Sequence, residues 1–121
     1  MEYQIDANNK ILGRLATEVA VLLRGKNTAQ FDPSKLSGSK VTVYNTDGIK
    51  ATGKKMVGDG KVYLHHTGWH GGQRAETLEN LMKRDSRLVI RRAVMGMLPK
   101  NRLRAQIIKN LILIKKDLKN D

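Results

Sequence analysis

Leu12, Leu15, Ala16, Val19, Leu22 and Leu23 recur at the three- and four-residue spacing of one helix face, and the stripe stops just before Gly25. This spacing predicts a helix over "ILGRLATEVAVLLRGK" with one side in the core. Before it, "YQID" (3–6) reads as a short strand and Asn8-Asn9 as a turn. "KVTVYN" (40–45) is rich in β-branched residues and bounded by "SGS" and "TDG", the signature of a strand between turns. Gly58 and Gly60 separate Met56-Val57 from "KVYLHH", which predicts a hairpin or looped ribbon there.

From Thr77 onward the period becomes helical. Thr77 is suited to cap "LENLMKR", and Ser86 to cap "RLVIRRAVMGML", which Pro99 stops. In "NRLRAQIIKN" and just beyond it, Leu103, Ile107 and Leu111 fall roughly on one side. "LILI" (111–114) is a short unbroken apolar run, the pattern of a strand buried on both faces. Strand, helix, strand, helices and a last strand point to an α/β layer structure with a partly parallel sheet. There is no internal repeat, low-complexity tract or linker, so residues 1–121 read as one domain with the last five or six residues frayed.

Charge narrows the function. Twenty-three Lys and Arg against eleven Asp and Glu give a formal +12. The excess is uneven: residues 1–60 hold nine basic and six acidic groups, residues 61–121 fourteen and five. A field of this sign concentrates polyanions, and the second half should build most of the binding surface. With no cysteine, disulfides, thiol catalysis and cysteine-ligated metals are excluded. No apolar run approaches the ~20 residues of a membrane span. "MEYQIDA" is not a signal peptide, so the expected location is cytoplasmic.

"HHTGWHGGQR" (65–74) contains every histidine, His65, His66 and His70. In extended chain, neighbours point to opposite faces, so only one of His65 and His66 could pair with His70. No carboxylate lies between Lys61 and Ala75 to complete a metal site or act as a base. No metal, cofactor or small-molecule substrate is therefore expected. "GIKATGKK" (48–55) nearly spells a phosphate-binding loop, but Lys55 stands where magnesium needs Ser or Thr, and "MVGDG" follows instead of a helix. What remains is a basic turn of Lys50, Lys54 and Lys55.

Arg84, Arg87 and Arg91 lie three and four apart, which would place them on one helix face with Arg92 beside them. Lys100, Arg102, Arg104 and Lys109 follow, and no acid occurs between Asp85 and Asp117. A solvated face usually interleaves both signs, so this run favours bound phosphate. The five aromatics form no stacking cluster of the kind that reads single strands. There is no zinc finger or helix-turn-helix signature either, so structured RNA held through its phosphates fits best.

The pieces "DANNKILGRLATEVAVLLRGK", "VTVYNTDGIKATGKK", "KVYLHHTGWHGG" and "AVMGMLPKNRL" run in this order along nearly the whole chain. Together they make it resemble the bacterial large-subunit ribosomal protein L-thirteen family. The resemblance implies a three-layer α/β/α fold around a small, mostly parallel sheet, with the basic helices in the second half. It also implies a non-enzymatic role: binding large-subunit ribosomal RNA early in assembly, beside neighbouring large-subunit ribosomal proteins. Carried over by motif, Lys61, Tyr63, His66, Thr67, Gly68, Gly71 and Gly72 would form an RNA-contacting loop, joined by Lys54 and Lys55. Lys100 and Asn101 would lie in the turn after the Arg-rich helix, and Arg24, Gly25 and Lys26 fill the family's "RGK".

Together with the charge pattern, the RNA-binding set is Arg24, Lys26, Lys54, Lys55, Lys61, Tyr63, His65, His66, Thr67, Gly68, Gly71, Gly72, Arg74, Arg84, Arg87, Arg91, Arg92, Lys100, Asn101, Arg102 and Arg104. The chain departs from the family at Leu103-Arg104, where a Gly usually follows the Leu, and in its ending "LILIKKDLKND"; it also begins almost at the first strand. Two other roles are compatible with parts of the sequence. One is an RNA-binding regulator acting off the ribosome, for example on its own messenger. The other is a hydrolase using the histidine loop, disfavoured by the missing carboxylate.

Overall fold

The structure is a computed structural model that describes residues 2–29, 38–51 and 62–116. Strands β1 (Glu2–Asp6), β2 (Lys40–Tyr44) and β5 (Leu111–Leu113) form a parallel sheet in the order β1-β2-β5. Their register puts Tyr3, Val41 and Leu111 in one row and Ile5, Val43 and Leu113 in another. Both rows fall on the face that meets the core, where Ile5, Val41, Val43 and Leu111 are buried. The α/β class and the small parallel sheet are as expected. β5, however, is an edge strand, and Ile112 on the other face is 47% exposed. The expectation of burial on both faces is corrected: periodicity in so short an apolar run does not report which faces are covered.

Helix α1 (Leu12–Arg24) follows the predicted stripe at Leu12, Leu15, Ala16, Val19 and Leu23, all buried, whereas Leu22 is only partly buried and Ala20 is buried as well. It stops because Gly25 adopts the left-handed region at φ 76°, which costs a residue without Cβ little. The Gly25 and Lys26 amides, each at 3.2 Å, then satisfy the Leu22 and Val21 carbonyls. Helix α2 (Leu78–Arg84) is capped as expected, with the Thr77 hydroxyl accepting from the Asn80 amide at 3.2 Å. Helix α3 (Ser86–Met97) packs directly against α1, and its Val89, Ile90 and Val94 join the same core. Helix α4 (Leu103–Ile108) adds Ile107 and Ile108.

The cap of α3 is not Ser86. Asp85 takes that position and accepts from the Arg87 amide at 3.1 Å. Ser86 is the first helical residue and is buried. Its hydroxyl donates to Asp47 Oδ1 at 2.5 Å. Since that uses its only proton, the 2.8 Å contact with Thr46 Oγ1 is a bond donated by Thr46. This chain of hydroxyls fastens the 3₁₀ turn Thr46–Gly48, at the carboxyl end of β2, to the start of α3.

A second sheet stands apart from the first. Strand β3 (Val62–His66) pairs antiparallel with β4 (Gln73–Thr77), and α2 begins at once where β4 ends. The partner of "VYLHH" is thus "QRAET", a segment not read as a strand because it carries no apolar alternation. Met56-Val57, Gly58 and Gly60 lie outside the described residues, as do the tail expected to fray and residues Lys54, Lys55 and Lys61.

Two substitutions test how α3 is anchored. Ser86→Ala leaves the buried Thr46 hydroxyl without its acceptor and should cost about 1–3 kcal/mol in chemical denaturation; no measurable loss would mean the hydroxyl chain carries no stability. Asp85 is held below the usual carboxylate range, first by side-chain hydrogen bonds from Arg87 and further by the Arg87 amide and nearby charge, against a smaller opposing effect of burial. With its folded value depressed, its contribution is complete above the unfolded value and lost as pH falls through the folded one. Asp85→Ala should therefore cost about 1 kcal/mol at neutral pH, and the gap to the parent should shrink below pH ~4. A gap that stays constant into acid would contradict this.

Candidate nucleic-acid interface

The histidine-rich stretch is the tip of the β3–β4 ribbon. His66 pairs with Gln73, and the chain reverses through residues 67–72. The Thr67 amide bonds the Gly72 carbonyl at 3.0 Å, and the Gly72 amide bonds the Trp69 carbonyl at 2.9 Å. Gly68 and Gly71 have φ of 91° and 66°, the region glycine enters without strain. Gly72 serves differently: a Cβ there would lie 2.8 Å from the Trp69 carbonyl oxygen and collide with the Thr67 hydroxyl. Two glycines bend the tip and the third lets its two sides touch.

His66 is occupied in building this turn, its Nδ1 accepting from the Gly68 amide at 2.9 Å. That leaves Nε2 as the outward nitrogen. His65 is opposite Arg74 on the other face of the ribbon. Among the described residues, no group of three or more His, Asp or Glu side chains is placed to hold a metal ion. Trp69 crowns the tip at 80% exposure.

One face of the ribbon leans on the helices. Tyr63 is half-buried, and the Arg92 guanidinium of α3 lies over its ring, 5.2 Å from the centroid. Burial raises the Tyr63 hydroxyl above its ordinary value, partly offset by the Arg92 charge, so it remains a neutral donor at physiological pH. On the same face Glu76 receives Arg84 Nη2 at 2.9 Å. The opposite face carries Val62, Leu64 and Ala75 toward solvent.

Between α1 and α3 runs a groove in two parts that share Met97. The larger is a cleft of about 550 Å³ whose lining includes Gly13, Arg14, Tyr63, Arg92 and Gly96. The smaller extends along α1 past Thr17 and Val21 to Arg24 and Lys26. The Thr17 hydroxyl reaches Met97 Sδ at 3.4 Å between them. Basic side chains therefore stand at both ends of a groove with an apolar middle.

The fold sorts the predicted residues into groups. Tyr63 and Arg92 meet at the cleft, and Arg24 and Lys26 close its far end. Lys100, Asn101 and Arg102 fall in the turn between α3 and α4, where Asn101 Oδ1 accepts from the Leu103 amide at 3.0 Å. Arg104 lies within α4, where no left-handed backbone is needed. The expectation that Arg84, Arg87 and Arg91 share one helix face is corrected, because the chain breaks at Asp85 and puts Arg84 in α2. Arg84 and Arg87 are also paired, with Glu76 and Asp85, whereas Arg91, Arg92, Arg102 and Arg104 have no carboxylate partner among the described residues. Sequence reasoning missed Gly13, Arg14 and Gly96; their only signal was glycine inside two helical patterns.

These features define a small basic α/β domain with a cationic groove between two helices and a projecting ribbon. The family model described as "Ribosomal protein L13" matches residues 1–117. "Large ribosomal subunit protein uL13" of Maridesulfovibrio salexigens is 49% identical over 109 residues, covering 90% of this chain and 75% of that protein. The protein of the same name from Wigglesworthia glossinidia brevipalpis is 49% identical over 106 residues, covering 88% and 73%. That of Agathobacter rectalis is 47% identical over 111 residues, covering 92% and 77%. The chain belongs to this ribosomal protein family.

Proposed function

We propose that the chain is a structural constituent of the large ribosomal subunit, in the cytoplasm, that holds large-subunit ribosomal RNA through its phosphates and so aids assembly. The observation that carries the reading is the set of exposed arginines on and after α3, Arg91, Arg92 and Arg102, which stand with no acid to neutralise them among the described residues. Each phosphate that such a charge neutralises releases a cation condensed on the RNA, which favours binding. The ribbon tip supports it: a glycine-bent backbone with exposed imidazole, hydroxyl and indole groups approaches a nucleic-acid surface closely. Lys54, Lys55 and Lys61 belong to the same proposed surface by motif. Arg74, Arg84 and Arg87 flank it, the last two through charge shared with Glu76 and Asp85. Neighbouring large-subunit proteins are the further partners, and no helix among the described residues is long and apolar enough to cross a membrane. The role requires no catalysis.

Two measurements test this. Arg91→Ala with Arg102→Ala should weaken binding to large-subunit ribosomal RNA and reduce the slope of log affinity against log salt by about one to two. An unchanged slope would move the interface off this surface. The single tryptophan reports on the tip: Trp69 emission should change on titration with the RNA, and a spectrum unaltered at saturation would exclude the tip from the contact.

A further inference from the structure

We infer that the cleft between the start of α1 and the end of α3 is a receptor for one unpaired nucleotide of the bound RNA, its base in the apolar cleft and its phosphate at the α1 N-terminus. This rests on the RNA-binding reading above and adds to it a discrete subsite. The first observation is a pair of helix glycines. Gly13 stands in the first turn of α1 and Gly96 in the last turn of α3, and both line the cleft. Glycine weakens a helix relative to alanine, yet a Cβ at either position would meet nothing within 4 Å. Neither has left-handed φ. The fold itself requires neither glycine, and both keep the same space open.

The second observation is the chemistry of the walls. The cleft, about 550 Å³, is of a size that takes a small ligand. Tyr63 and Arg92 are already stacked within it, and a guanidinium plane accepts a base as readily as a ring. The α1 N-terminus opens at the same place: Ile11 at its cap offers no side-chain hydrogen bond and the Lys50 carbonyl takes only the Leu12 amide at 2.7 Å, so the amides of Gly13 and Arg14 are left to a ligand. Arg14 stands beside them, and neither Arg14 nor Arg92 has a carboxylate partner among the described residues. An apolar slot with a stacking plane, ending in two open helix amides and two cations, is complementary to a flat base joined to a phosphate. An apolar peptide would leave those charges unanswered.

The test uses the full chain and purified large-subunit ribosomal RNA. Gly96→Leu fills the cleft without changing charge. It should bind the RNA about ten-fold more weakly, the loss of roughly one stacked base, with an unaltered salt slope and no fall in melting temperature. Unchanged affinity in a folded Gly96→Leu protein would overturn the proposal. Gly13→Leu, on the opposite wall, decides the matter should the first variant not fold. The parent complex gives a reading that needs no variant: one unpaired base should be shielded from reagents attacking its Watson–Crick edge, and absence of any shielded unpaired base would refute the site. A Gly96→Leu protein that keeps its RNA affinity but loses a neighbouring protein from the assembled subunit would make the cleft a protein site, against this inference. Failure of the parent chain to bind the RNA would instead sink the broader reading.

Discussion

The contact of α1 with α3 is the interaction on which the rest depends. Leu15, Val19 and Leu23 from one helix and Val89, Ile90 and Val94 from the other are buried in one core over a single face of the parallel sheet. Burial of such side chains contributes roughly 1.5–3 kcal/mol each. Because the apolar stripes face each other and the sheet, the remaining helix surface must carry the charge. The groove between the helices is therefore basic at both ends and apolar between. Anything that let α3 roll would disperse the cations without touching one of them.

Two devices hold α3 in place. The Thr46–Ser86–Asp47 hydroxyl chain ties its first residue to the end of β2, and Asp85 caps it while pairing with Arg87. The β3–β4 ribbon is positioned through the same helix, since Tyr63 lies under Arg92 and β4 runs straight into α2. The ribbon and the groove thus meet at the Tyr63–Arg92 contact. This suits a protein that recognises the shape and charge of a folded RNA rather than base sequence.

Much of this was legible in the sequence, for identifiable reasons. The six apolar positions of α1 and the Gly25 stop predicted that helix, and Thr77 was the cap it looked like. The failures are equally physical. Asp85 and Ser86 are adjacent residues of capping type, and only the structure shows that the second hydroxyl is spent on Thr46 and Asp47. The Arg84 spacing was sound for a continuous helix, but the chain breaks between Arg84 and Arg87. "QRAET" forms a strand because its partner and the tip dictate it, which no local propensity reveals. At the site, the glycines of the tip were visible as a count, but their division into bend and close approach was not. The α1–α3 cleft was invisible because its residues lie far apart along the chain.

On the proposed function, the ribbon tip and the α1–α3 groove both face ribosomal RNA. A density map of the large subunit containing this chain tests it most directly. RNA backbone should lie against Arg91, Arg92 and Arg102, with residues 67–72 in contact with RNA. Finding the tip and groove turned to solvent, or covered only by protein, would contradict it.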